Sequence, residues 1–114
     1  MAVAMFLRLP VQTAAYDRLL ASLELDVSPP AGEILHFAAE TAEGIDVCEI
    51  WQTHEAAESF LHSVLAPMLH GIGVHDPVEY SICPLHNLYA PDLDAIERIG
   101  AVSLPGADAG AVFR

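Results

Sequence analysis

The chain has 114 residues, of which 54% are hydrophobic, and its mean hydropathy is +0.40. That is enough for one domain, too apolar for intrinsic disorder, and more apolar than one small core requires, so a second buried surface is expected, in a pocket or a subunit interface. Four basic residues against sixteen acidic ones leave a formal charge of −12, which repels phosphate backbones and anionic lipid heads and predicts no nucleic-acid and no membrane partner.

No apolar run reaches the ~20 residues of a membrane span. The apolar start, Met1 to Leu7, lacks a basic leader and runs into Arg8 and Pro10, so it reads as a first strand and not as a signal peptide. Cys48 and Cys83 have no CxxC spacing, and neither a disulfide framework nor a zinc site is signalled. A cytoplasmic protein is expected.

Val3 to Leu9 predicts a strand buried on both faces, closed by Pro10. Thr13 offers an N-cap, and Tyr16, Leu19, Leu20 and Leu23 form one face of an amphipathic helix. Ser28 to Gly32 is a turn cluster that stops it. Glu33 to Thr41 and Ile45 to Gln52 flank a short Gly-containing connection and predict a hairpin. Thr53 caps a second helix with Glu55 in its first turn, and its buried stripe is Ala57, Phe60, Leu61, Val64, Leu65, Met68 and Leu69. Pro67 is expected to kink its last turn. Val78 to Tyr89 reads as a fourth strand in which Pro84 marks an edge or bulge. The order β-α-β-β-α-β over residues 1–90 is the ferredoxin-like α+β fold, a four-stranded antiparallel sheet with two helices on one face. Residues 91–114 form a tail with a short helix through Leu93, Ile96 and Ile99, which could lie as an arm across a partner subunit. Strands apolar on both faces leave one sheet face in need of a partner, so a homodimer closed into an α/β barrel is expected.

The stretches Glu33-Ile-Leu-His-Phe-Ala-Ala and Gly44 to Phe60 resemble the dimeric α/β-barrel proteins of the antibiotic biosynthesis monooxygenase-like superfamily. Trp51, Thr53, Glu55, Ala56 and Phe60 match its layout of a strand-ending aromatic residue, a cap, acidic and alanine residues, then a helix aromatic. Pro84 to Tyr89 resembles its fourth-strand end. The resemblance implies a cavity between sheet and helices, and activities that range from cofactor-independent oxygenation of phenols to polyketide cyclisation and haem degradation. Fold alone does not choose among them.

Strand alternation groups His36 with Ile34 and Ala38, Glu49 with Val47 and Trp51, and Tyr80 with Ile82 and His86. If these sets share the helix side, one cavity holds two bases, His36 and His86, with Glu49, Trp51 and Tyr80 to bind substrate. Arg8, on the Ala4/Phe6 face, could hold a substrate oxyanion or form a salt bridge at a dimer edge. The same residues could equally be hydrogen-bonded core. His54, Glu58 and His62 line one side of the second helix and read as solvent-facing pairs. His70, near that helix's C-terminus, has the position of a haem ligand in the resembling enzymes, but a histidine interacting with the helix dipole accounts for it. The expectation is therefore an enzyme with no cofactor and no metal. It would abstract a proton from an aromatic or polyketide-like small molecule. The alternative is a non-catalytic ligand-binding or structural dimer.

Overall fold

A computed structural model describes residues 1–24 and 28–103, with side chains as far as residue 99. Strands β1 (Val3–Leu9), β2 (Glu33–Thr41), β3 (Gly44–Trp51) and β4 (Glu79–Pro84) form one antiparallel sheet in the order β2-β3-β1-β4. Helix α1 (Thr13–Leu23) joins β1 to β2. A helical stretch of three parts joins β3 to β4: α2 (His54–Phe60), a π-turn (Leu61–Leu65) and α3 (Ala66–Gly71). A last helix, α4 (Leu93–Ser103), follows. The fold is ferredoxin-like.

Val3, Met5, Leu7 and Leu9 alternate onto the helix side of β1, where they pack with Leu19 of α1 and with Ala57, Phe60, Leu61, Leu65 and Leu69. Trp51 and Met5 are fully buried at the centre of this layer. Burying side chains of this size contributes about 1.5–3 kcal/mol each. The opposite face has a small apolar centre of Ala4, Cys48 and Ile50, flanked by Leu35 and Leu85. Phe6 and Phe37 lie on that face about half exposed, so it carries the unpartnered apolar surface that the composition implies.

Local details depart from expectation in three places. Gln12, not Thr13, is the N-cap of α1, and it makes no side-chain cap bond; the helix ends at Leu23, where Glu24 turns left-handed at φ 50°. Thr53 does cap α2, its Oγ1 accepting from Ala56 N–H at 3.1 Å. Pro67 acts one turn upstream of a simple kink. Having no N–H and crowding the carbonyl four residues back, it follows a widened turn in which Ala66 N–H donates to Leu61 O, five residues back. β4 stops at Pro84, five residues short of Tyr89, because its neighbour runs out: Pro84 stands opposite Val3, the first residue of β1, and one more in-register bond, Leu85 N–H to Ala2 O at 2.9 Å, brings the pair to the start of the chain.

After β4, Asp92 Oδ1 accepts from Ala95 N–H and starts α4. Leu93, Ile96 and Ile99 are all exposed on it. The rest of the expected tail, from residue 104, lies outside the described residues.

Candidate functional site

Glu49 is the one carboxylate of the described core, 2% exposed on the helix side of β3 between Met5 of β1 and His36 of β2. A carboxylate there requires donors, since an unpaired buried charge costs several kcal/mol. Trp51, two residues along the same strand face, donates Nε1–H to Glu49 Oε1 at 3.1 Å. His36, directly across the ladder, donates Nδ1–H to Oε2 at 2.8 Å. An ionised carboxylate only accepts, so this bond fixes the tautomer and leaves His36 Nε2 with a lone pair. Tyr16 O–H, reaching down from α1, donates to that lone pair at 2.6 Å. The result is a continuous chain, Tyr16–His36–Glu49–Trp51, running from helix to sheet.

A bulge brings a second carboxyl to the same place. Ile34 and Leu35 together stand opposite Ile50, so Glu33 pairs with Trp51 and lies on the same side as His36 despite the odd spacing. Its Oε2 is 3.9 Å from His36 Nδ1. Burial, with the Glu49 charge beside it, pushes the Glu33 carboxyl up to about 7, so at neutral pH it is part protonated. Burial also pushes the Tyr16 phenol well above its usual range, helped by the nearby Glu49, Asp17 and Glu33 charges, and keeps it a hydroxyl.

Tyr16, Glu33, His36 and Glu49 line a cavity walled by Leu7, Leu9, Leu19, Leu20, Phe60 and Leu65; Trp51, fully buried, is not part of its wall and reaches it only through Glu49. The space open to the centres of water-sized molecules is about 20 Å³, within about 390 Å³ of empty space that includes open solvent. The enclosed part holds about one water. An oriented imidazole beside a buried carboxylate, in apolar walls, is the arrangement of a general base.

Three of the six expected site residues, His36, Glu49 and Trp51, are brought together. Tyr80 pairs with Leu7 and so is on the helix side, but on the edge strand; its ring meets His62 edge-on at 6.0 Å and is absent from the cavity wall. His86 is not brought to the cavity. Its grouping with Tyr80 required the strand to continue past Pro84, and instead it is exposed in the segment after β4. Arg8 is on the open sheet face, where its Nε is 3.1 Å from Asp46 Oδ1, which is the salt-bridge alternative. Ile34 does not share His36's alternation, because the bulge intervenes. Tyr16 and Glu33 were missed: Tyr16 reads as one more apolar stripe position, and Glu33 as the polar start of a strand. The remaining histidines are exposed, His54 and His62 as expected. His54 and His62 both contact Glu58, at 3.2 and 2.7 Å, and His70 contacts His75 at 2.9 Å.

The sheet order and the helices on one face define a ferredoxin-like α+β protein, and comparison with solved structures narrows this. A protein of unknown function from Nitrosomonas europaea, NE2512, is similar with a TM-score of 0.60 and 22% identity, over 79% of this chain and 94% of that one. An antibiotic biosynthesis monooxygenase from Chloroflexus aurantiacus gives 0.55 at 17% identity, over 79% and 98% of the two chains. A monooxygenase from the ActVA-Orf6 gene of Streptomyces coelicolor, solved with nanaomycin D, gives 0.52 at 16% identity, over 79% and 91%. The chain thus shares the ferredoxin-like fold of these proteins, and at these identities the likeness is one of fold. No protein-family model and no curated protein matches the sequence. Among the described residues, no helix is long and apolar enough to cross a membrane.

Proposed function

We propose that the protein is a small-molecule enzyme of the cofactor-independent monooxygenase or cyclase kind, working on an aromatic or polyketide-like substrate by proton abstraction. The observation that carries this reading is the Tyr16–His36–Glu49–Trp51 chain at an apolar cavity. The substrate gives a phenolic or acidic C–H proton to Tyr16 Oη as Tyr16 passes its own to His36 Nε2. Glu49 stabilises the imidazolium that forms, and Trp51 holds Glu49 in place. The substrate is left as an electron-rich anion. It can give one electron to O2 and recombine with the superoxide formed, or attack a carbonyl of its own chain and close a ring. The fold shared with monooxygenases supports the same reading. Phe6 and Phe37 on the open sheet face support a homodimer, with a second copy as the partner that covers them.

The enclosed volume favours a second reading. About 20 Å³ holds no aromatic ring, so a substrate must occupy the wider mouth or move α1 outward. A cavity that never opens is the core of a non-catalytic dimer. Oxygen uptake with anthrone-type phenols, measured on chelator-treated protein, separates the two. The enzyme reading expects oxygen uptake, or ring closure of a polyketide-like substrate, that is lost in His36→Ala; activity unaffected by His36→Ala, or neither reaction with any such substrate, refutes it.

A further inference from the structure

Two carboxyl groups and one imidazole converge on the cavity, and none of the residues lining it is a lysine or arginine. We propose that Glu33, His36 and Glu49 form a site for one divalent transition-metal cation, held by His36 Nδ1 and one oxygen from each carboxylate. Potential ligand atoms of the three lie within 4.8 Å of one another. His36 Nδ1 is 2.8 Å from Glu49 Oε2 and 3.9 Å from Glu33 Oε2. A tetrahedral ion with bonds of about 2.0–2.1 Å sets its ligands about 3.3 Å apart, between those two values, so sub-ångström side-chain shifts complete the set. The cavity beside them supplies a fourth position for water.

The contacts behind the ligands are the second observation, and they are independent of the acidic pair. Metal-bound histidines and carboxylates are held by hydrogen bonds through their other polar atoms. Here Glu49 Oε1 is held by Trp51 Nε1–H, and His36 Nε2 stands 2.6 Å from Tyr16 Oη. When Nδ1 gives up its proton to become a ligand, Nε2 carries the N–H and donates it to Tyr16 Oη. The donors that face the ion are thereby left free of other partners. A doubly charged cation also neutralises two carboxylates that otherwise repel in low dielectric. One nitrogen and two oxygens with a water suit zinc, manganese, iron(II) or cobalt. Magnesium, which keeps several waters and octahedral geometry, does not fit a space of this size.

The inference goes beyond the proposed function. A cation on Nδ1 removes the lone pair on Nε2, so base and metal states exclude one another, and the ion acts as an off switch rather than a cofactor. Its test reads binding and needs no substrate. Trp51 is the one tryptophan of the chain and is hydrogen-bonded to a ligand, so Co2+ at this site quenches its fluorescence, and the quenching is expected to persist in a His54→Ala/His62→Ala variant that removes the exposed histidines of the second helix. Chelator-stripped protein titrated with Co2+ is expected to show saturable quenching in the micromolar range with one ion per chain. Zn2+ should reverse it, and millimolar Mg2+ should not. Glu33→Gln should weaken it by about tenfold or more, while His75→Ala leaves it unchanged. Should Glu33→Gln fail to fold, His36→Gln is read in the same way. No saturable quenching up to millimolar Co2+, or quenching indifferent to loss of Glu33 or His36, overturns the proposal. Because oxygen uptake is measured on stripped protein, failure of the metal site leaves the proposed function standing, and the reverse also holds.

Discussion

Replacing Glu33 by glutamine gives the most direct reading of the buried carboxyl pair. In the folded chain burial raises the Glu33 carboxyl from 4.5 to about 7, with the Glu49 charge adding to it. In the unfolded chain it returns to the ordinary range. Between those two values the folded state holds a proton that the unfolded state has released, so stability falls as pH rises from about 4.5 to about 7 and stays lower above it. A shift of that size corresponds to about 3 kcal/mol. Water at the cavity mouth screens part of it, so about 1–2 kcal/mol is expected. Glutamine keeps the shape and never ionises. Urea denaturation of both proteins, at several pH values with chelator present, isolates the effect, since every other titrating group is common to the pair. Glu33→Gln should equal the parent within about 0.5 kcal/mol near pH 4.5 and exceed it by about 1–2 kcal/mol near pH 8, or roughly 5–10 °C in Tm. A difference that does not change with pH would show that Glu33 is not desolvated beside Glu49.

Phe37→Glu sets a charge in the exposed apolar centre of the open sheet face and should convert a dimer of about 24 kDa to monomer in sedimentation velocity, with the helix-side core intact by circular dichroism. Thr53→Ala removes the cap of α2 and should cost about 0.5–2 kcal/mol in thermal unfolding. Gly44→Ala should cost more than that. Gly44 sits at φ 144° and a Cβ there would strike the Leu9 carbonyl oxygen, so a wild-type Tm in this variant would contradict the packing of hairpin against β1. Hydrogen exchange should show amides protected from Leu93 through Ile99 if α4 lies across a partner copy; rapid exchange from Pro91 onward, with a dimer unaffected by truncation there, would reject the arm.

What the sequence by itself determined was the order of elements and the residues of the core. Apolar residues run through Val3–Leu9 and recur at helical spacing from Ala57 to Leu69, and most of them are buried; only Phe6 and Arg8 depart from the first strand's expected burial on both faces, because they lie on the open side of the sheet. The sequence grouped Glu49 with Trp51 by alternation along one strand, and set His36 beside them only on the condition that both strands turn those faces to the helices; the register of β2 on β3 meets that condition. Only the tertiary structure decided the rest. Alternation carries Ile34 and His86 to the helix side, but a bulge and the end of a neighbouring strand interrupt it. One extra residue at Ile34–Leu35 turns Glu33 toward His36, and β4 outruns the start of β1 before His86 can share its face. Tyr16 is legible as a packing residue and nothing more, because the reach of its hydroxyl to Nε2 depends on how α1 settles on the sheet. Period tells which face a side chain takes; where a strand bulges or stops, only pairing with its neighbours can say.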